Sequence, residues 1–360
     1  MGESIVNKKV ILKQYPEGKL VADRDLKMEE ETIDLDSLTL EPDEVAVRTE
    51  AFSIDAFVRT MLYEGAFHGH REPGQCLVAV GYGTVVKAGS NEAYKVGSRV
   101  QGVMEVATIA KVSKSPMVMA AASLPGVKPS LSLGFFGLSG LSAYFGVFHT
   151  APKGPCKGET AVISAAAGAV GSIAAQMCKL AGARVIGIAG GPAKKKFLLE
   201  ELGLDGAVDY KDSTKPLAEQ LKEQCPDGID FFFDNVGGET LDEVLDQINQ
   251  GSRIVICGAI SQYDTGNMYK KGGSQGPSNY MKLAETSSSM SGMMVGHFLA
   301  SPVNLVRSVS YLMWHYYRGN LKPYEHIEVG LDSFGKSMEI MFSGGHIGRL
   351  VVDVTGDLAK

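Results

Sequence analysis

The sequence predicts an α/β protein: a doubly wound parallel sheet accompanied by a second, β-rich domain. Three observations predict it. From Glu159 onward, short apolar strands alternate with stretches of helical spacing. A turn rich in alanine and glycine joins the first of those strands to its helix. Residues 1 to 140, in contrast, read as strands separated by irregular loops. Near-continuous apolar strands between helices mark a parallel sheet buried on both faces.

In the first region, residues 45–51 roughly alternate, and residues 83–87 and 98–104 read as strands bounded by glycine. After Glu159, strands are expected at 160–164, 184–189, 206–210, 229–235 and 253–257. Helices are expected at 168–181 and 194–202, the latter ended by Gly203. Residues 262–282, rich in Gly, Ser, Asn, Gln and Tyr, read as a long loop. A helix over 303–318 and a strand over 349–354 complete the pattern.

The bulk numbers narrow the class. The chain has 360 residues, 44% of them hydrophobic and 21% charged, a balance that excludes a disordered, collagenous or coiled-coil protein. The length suits two or three domains. Glycine is in surplus, 43 residues, which implies many tight turns and close backbone approaches. A net charge of −6 gives no general attraction to nucleic acid or an anionic membrane, which leaves room for a local basic patch only. Cys76, Cys156, Cys178, Cys225 and Cys257 form no C-x-x-C pair; an odd, scattered set fits a reducing compartment. No signal core, apolar run of membrane length, lipidation pattern or retention tag stands out, so cytoplasm is the expectation.

The strongest local signal is Ser164-Ala165-Ala166-Ala167-Gly168-Ala169-Val170-Gly171. It follows a strand and opens a helix, as a dinucleotide-binding turn must. Small residues there allow a tight turn, close approach of a pyrophosphate and helix–strand contact. The helix N-terminus then receives the anion. Ala165 stands where the first glycine of the fingerprint is usual.

An NAD site carries an acid about 20 residues on, at the end of the second strand. Here that strand ends Ile188-Ala189-Gly190-Gly191-Pro192, and Lys194, Lys195 and Lys196 follow. Without a carboxylate nothing repels a 2′-phosphate, and a nearby ammonium attracts it. NADPH is therefore expected over NADH, although lysines in such a run can also form a plain solvated face.

Together with this turn, Gly137–Gly146, Phe233-Asp234-Asn235-Val236-Gly237-Gly238 and Cys257-Gly258-Ala259-Ile260-Ser261-Gln262-Tyr263 resemble the zinc-independent medium-chain dehydrogenase/reductases. Within them they are similar to the branch of the prostaglandin reductases and plant alkenal double-bond reductases. The resemblance is dense from 134 to 263 and thin elsewhere. It implies a split GroES-like catalytic domain, residues 1–130 plus 321–360, around a Rossmann domain, residues 131–320, with the active site in the cleft. It implies NADPH, a small molecule as the expected partner, a homodimer, and reduction of the carbon–carbon double bond of α,β-unsaturated aldehydes or ketones. By the same resemblance Ala165, Gly168, Ala169, Val170, Gly171, Gly190, Lys194, Tyr210, Asn235, Cys257 and Tyr263 contact the cofactor.

Tyr263 is also the candidate catalytic residue. A tyrosine is neutral at pH 7 and can donate to a carbonyl oxygen that gains charge. The α-carbon proton then comes from solvent or through a ribose hydroxyl. The bland alternative for Tyr263 is a loop tyrosine. Phe57, Met293 and Met294 depart from the branch pattern at substrate-pocket positions, and His346 replaces a usual Asn; the two methionines also suit plain core packing. No metal is expected: a tetrahedral zinc site needs converging soft ligands, and His68, His70 and Cys76 lack a recognisable set. Two other readings stay open: a quinone or enoyl-thioester reductase on the same scaffold, and an NADPH-binding protein without turnover.

Overall fold

The computed structural model describes residues 4–66, 69–90, 94–115, 118–121, 125–266, 268, 270 and 272–358. His68 lies outside them. The strands in chain order are β1 (Ser4–Leu12), β2 (Leu26–Asp34), β3 (Glu44–Ser53), β4 (Val78–Ala88), β5 (Arg99–Glu105), β6 (Ile109–Ser113), β7 (Val118–Ala120), β8 (Thr160–Ile163), β9 (Arg184–Ala189), β10 (Gly206–Asp209), β11 (Ile229–Asp234), β12 (Ile248–Ile256), β13 (Ser289–Gly292), β14 (Glu325–Val329) and β15 (Arg349–Asp353).

The chain forms two units. The first comprises residues 1–133, 263–273 and 325–360; the second comprises 134–262 and 274–324. The short return of 263–273 to the first unit is not anticipated by the sequence.

In the first unit, β1 and β2 pair antiparallel over their full length. A seven-stranded sheet has the order β14-β15-β3-β4-β5-β7, with β6 also on β3. Its core includes Ala51, Tyr82, Leu133 and Val351.

The second unit is the expected parallel sheet, in the order β10-β9-β8-β11-β12-β13. β9 lies on one side of β8 and β11 on the other, so the chain winds away from β8 in both directions. That reversal opens a crevice at the carboxyl ends of the two neighbours. Both faces of the sheet are covered. Phe231, Phe232 and Phe233 are all fully buried, although successive side chains in a strand point to opposite faces. Phe232 packs with Val162, Leu241, Val244 and Ile254. Phe233 lies instead against Gly146, where an added Cβ would come within 2.4 Å of its ring.

The elements depart from the sequence expectation in a few places. The helix expected over 194–202 is a turn of α-helix, Pro192–Lys196, continued by a wider π-turn, Phe197–Glu201. β12 starts earlier than expected, at Ile248. The expected loop 262–282 is bracketed by short helices, Ile260–Tyr263 and Met281–Glu285. β13 was not expected at all: Ser-Met-Ser-Gly carries no apolar run, and it is a strand because it pairs with β12 from Arg253↔Ser289 to Ile256↔Gly292.

Phe232 tests the packing of the second unit. Phe232→Ala leaves a cavity between sheet and helices and is expected to destabilise the protein by about 3–5 kcal/mol. Val329→Ala, at an exposed position, should stay within about 0.5 kcal/mol. Denaturant unfolding of both variants checks the contrast.

Candidate active site

The turn after β8 is built as the fingerprint requires. Ala165 sits in the left-handed region, φ 47°, which an L residue occupies at a cost of about 1–2 kcal/mol. Its carbonyl accepts the Gly168 N–H at 2.9 Å and closes the turn. The helix Ala169–Leu180 begins directly afterwards, and no side chain caps its N-terminus. The leading N–H groups of Ala169, Val170 and Gly171 are therefore available to an anion. Gly171 could not be another residue: a Cβ there would lie 2.3 Å from the Ala165 carbonyl oxygen. Ala166 and Ala167 are buried beneath the turn, while residues 165 and 168–170 remain partly exposed. A pyrophosphate fits this cradle.

The strand ends beside it are locked together. The Ser164 hydroxyl donates to Asp234 Oδ1 at 2.8 Å and accepts from the Asn235 N–H at 2.8 Å. Asn235 Nδ2 donates to the Ser164 carbonyl at 2.8 Å, so its amide is oriented by the turn itself. Asp234 Oδ1 also accepts from Val236 N, and both its oxygens from Gly237 N. Burial pushes this carboxyl above the usual carboxylate range, and these hydrogen bonds oppose the shift. Cys257 N donates to the Asp234 carbonyl at 2.8 Å. Burial, with the Asp234 charge behind it, pushes the Cys257 thiol up to about 12; it is a neutral thiol at pH 7, not a nucleophile.

At the other side of the turn, past β9, the second cluster assembles. Gly190 packs beneath Tyr210: a Cβ on it would lie 2.8 Å from the tyrosine ring and 3.0 Å from Lys211 Cδ. Lys211 Nζ stands 5.8 Å from the centre of the Tyr210 ring. Lys194 is close enough to feel Lys211: burial first, and then the Lys211 charge, lower its ammonium below the ordinary lysine value. Lys196, by contrast, is exposed and pairs with Glu200 at 3.6 Å, the plain solvated reading. Asp209 does not act as an acid facing this cluster alone. Its Oδ1 accepts the N–H groups of Gly191 at 2.7 Å and Lys211 at 2.9 Å, tying the two loops together.

Gly190 thus lies against Tyr210, and Lys194 is linked to this pair through the charge of Lys211. Lys211 joins them and was not singled out; the available signal was its place directly after Tyr210. The remaining candidates lie elsewhere. Met293, half-buried, follows β13 and donates its N–H to the Ile256 carbonyl at 2.9 Å; Met294 beside it is exposed. In the first unit, Phe57 is half-buried on the helix Ala56–Thr60. His346 follows the left-handed cap Gly344 that ends the helix Phe334–Ser343. Tyr263 ends the helix Ile260–Tyr263 and is half-buried.

Two family models match the chain: one described as zinc-binding dehydrogenase over residues 169–304, and one described as the N-terminal domain of oxidoreductase over residues 8–120. The chain is 31% identical over 358 residues to the 2-alkenal reductase (NADP(+)-dependent) of Nicotiana tabacum, covering 99% of each protein. It belongs to the zinc-independent medium-chain dehydrogenase/reductases. Prostaglandin reductase 1 of Mus musculus is 37% identical over 223 residues, 62% of this chain and 64% of that protein. The crystal structure of CurA in complex with NADPH from Vibrio vulnificus superimposes with a TM-score of 0.83 at 28% identity, over 97% of this chain and 99% of that one. As a medium-chain dehydrogenase/reductase, the protein has the two-domain fold of an oxidoreductase. Among its described residues, no three His, Cys, Asp or Glu side chains are grouped to hold a metal.

The lysine cluster makes a pH-dependent prediction. A 2′-phosphate held by Lys194 would need its charged form, and burial with the Lys211 charge lowers that ammonium below the ordinary lysine value. NADPH affinity is expected to fall as pH rises, beginning below the ordinary lysine range, with little change for NADH. Lys194→Ala combined with Lys211→Ala should raise the NADPH Kd by about 100-fold or more at neutral pH, from two charge-assisted contacts. Fluorescence titration of both nucleotides across the pH range measures this.

Proposed function

We propose that the protein reduces the carbon–carbon double bond of α,β-unsaturated aldehydes and ketones with NADPH. It is an NADP-dependent oxidoreductase of the class acting on CH–CH groups. One juxtaposition carries the reading: an uncapped helix N-terminus over a left-handed turn, beside the cluster of Gly190, Lys194, Tyr210 and Lys211. The reaction half draws support from similarity to a 2-alkenal reductase over 99% of the chain.

When bound, NADPH supplies the hydride. The residues of this chain bind and orient. The turn 165–171 holds the pyrophosphate, Lys194 and Lys211 hold the 2′-phosphate, and the Ser164–Asp234–Asn235 lock keeps the strand ends in place. Tyr263 donates its Oη proton in a hydrogen bond to the substrate carbonyl oxygen as negative charge collects there. Phe57, Met293 and Met294 offer apolar surface to the alkyl part of the substrate, in keeping with a hydrophobic enal or enone.

The proposal extends to assembly and place. β13 is a terminal strand of its sheet, with Met290 and Met294 exposed on and beside it, and a second copy of the chain is its proposed partner. The five cysteines are free thiols, which suits the reducing cytoplasm. Sedimentation is expected to find a species of twice 38.3 kDa.

Steady-state NADPH oxidation with 2-alkenals, enones, quinones and enoyl-CoA, measured side by side, tests the reaction. Enals and enones should lead. Faster turnover of quinones or enoyl-thioesters would replace the reading, and no oxidation with any acceptor would leave a nucleotide-binding protein. Tyr263→Phe is expected to lower kcat about 100-fold with the NADPH Kd nearly unchanged.

A further inference from the structure

Arg59 is a buried charge in the first unit, with none of its surface exposed. Nε donates to Asp264 Oδ1 at 2.7 Å, and Nη2 donates to the Gly18 carbonyl at 2.7 Å. Its guanidinium carbon lies 4.2 Å from the centre of the Tyr63 ring. The same Asp264 oxygen accepts the Leu20 N–H at 2.9 Å. Tyr63 Oη in turn donates to the Tyr263 carbonyl at 2.9 Å. Burial pushes the Tyr63 phenol above its usual value, so it stays a proton donor at neutral pH.

These bonds reach across 200 and 205 residues of sequence, and they converge on two consecutive residues. That point is where the chain passes from the second unit into the first. A buried ion pair is a poor source of stability, since desolvation opposes it, but it is selective about geometry. An arginine fork is more selective than a lysine. A phenol on the Tyr263 carbonyl and a guanidinium on the next side chain fix the backbone on the C-terminal side of Tyr263.

We infer that Arg59 and Tyr63 are positioning residues, a clamp on Tyr263 and Asp264 that aims the Tyr263 side chain for the reduction. The inference rests on the reading of Tyr263 as the donor to the substrate carbonyl. Neither residue need touch substrate or cofactor; they act through the backbone that carries the tyrosine.

The test uses the full chain with NADPH and a 2-alkenal. Tyr63→Phe, Arg59→Gln and Arg59→Lys are each made alone and together with Tyr263→Phe. Turnover, KM and NADPH Kd are measured, with hydrogen exchange of peptides covering 262–266. Tyr63→Phe alone should lower kcat about 3- to 10-fold, the scale of one lost hydrogen bond, with NADPH Kd within twofold and faster exchange at 263–264. In the Tyr263→Phe background the same change should cost nothing further. Arg59→Lys should fall between wild type and Arg59→Gln. Tyr63→Phe deletes one oxygen, so it answers the question even if Arg59→Gln does not fold. Equal losses in both backgrounds, or unchanged exchange, overturn the clamp while Tyr263 keeps its role. Full turnover in Tyr263→Phe overturns the reading of Tyr263 itself, and the positioning role with it.

Discussion

The carboxylate of Asp234 is buried at the carboxyl end of β11, and the neighbouring strand ends are held through it. It accepts the Ser164 hydroxyl from the end of β8 and the amides of Val236 and Gly237 from its own loop. The Asp234 carbonyl accepts the N–H groups of Cys257 and Gly258, which follow β12. Three parallel strands are thereby joined beyond the point where their ladder stops. A carboxylate in that place without donors would carry a penalty of several kcal/mol. The loops that supply the donors are therefore not free to drift. The Ser164 hydroxyl and the amides of Val236 and Gly237 are placed by that requirement.

The turn beside this lock is arranged for a ligand at some expense to the free protein. Ala165 is held in a left-handed conformation, and the helix behind it begins without a side-chain cap. The N-cap is Gly168, which costs only about a few tenths of a kcal/mol relative to a capping side chain, so the left-handed Ala165 is the larger expense in the absence of an anion. An anion seated there would supply an acceptor for the leading N–H groups. Ligand binding to the native state then returns the deficit as added stability.

Much of this was legible in the sequence because it depends on local chemistry. The turn 164–171 needs small residues at fixed offsets, and apolar strands such as 229–234 must be buried on both faces. What was not legible depends on distant partners. β13 has no strand pattern of its own and exists as an extension of β12. β1 and β2 carry long polar stretches on a two-stranded ribbon, so neither shows the clean alternation of a half-buried strand. Lys211 reads as part of an ordinary polar turn; only the packing of Gly190 under Tyr210 brings it beside Lys194. The return of 263–273 to the first unit turns on Arg59 meeting Asp264, and nothing in either local sequence announces the other.

Asp209 is used as a structural tie beside the second cluster. An acid does stand near the second cluster, at the end of β10 and not β9, and its Oδ1 accepts the N–H groups of Gly191 and Lys211. It serves as a tie between loops. The position after β9, where an acid would meet ribose hydroxyls, is taken by Gly190, whose missing side chain is what lets Tyr210 and Lys211 approach. An acid introduced there would repel a 2′-phosphate, and its Cβ would also push against the tyrosine ring and the lysine stem. An NAD-type carboxylate at this residue would have to fill the space into which Tyr210 and Lys211 pack.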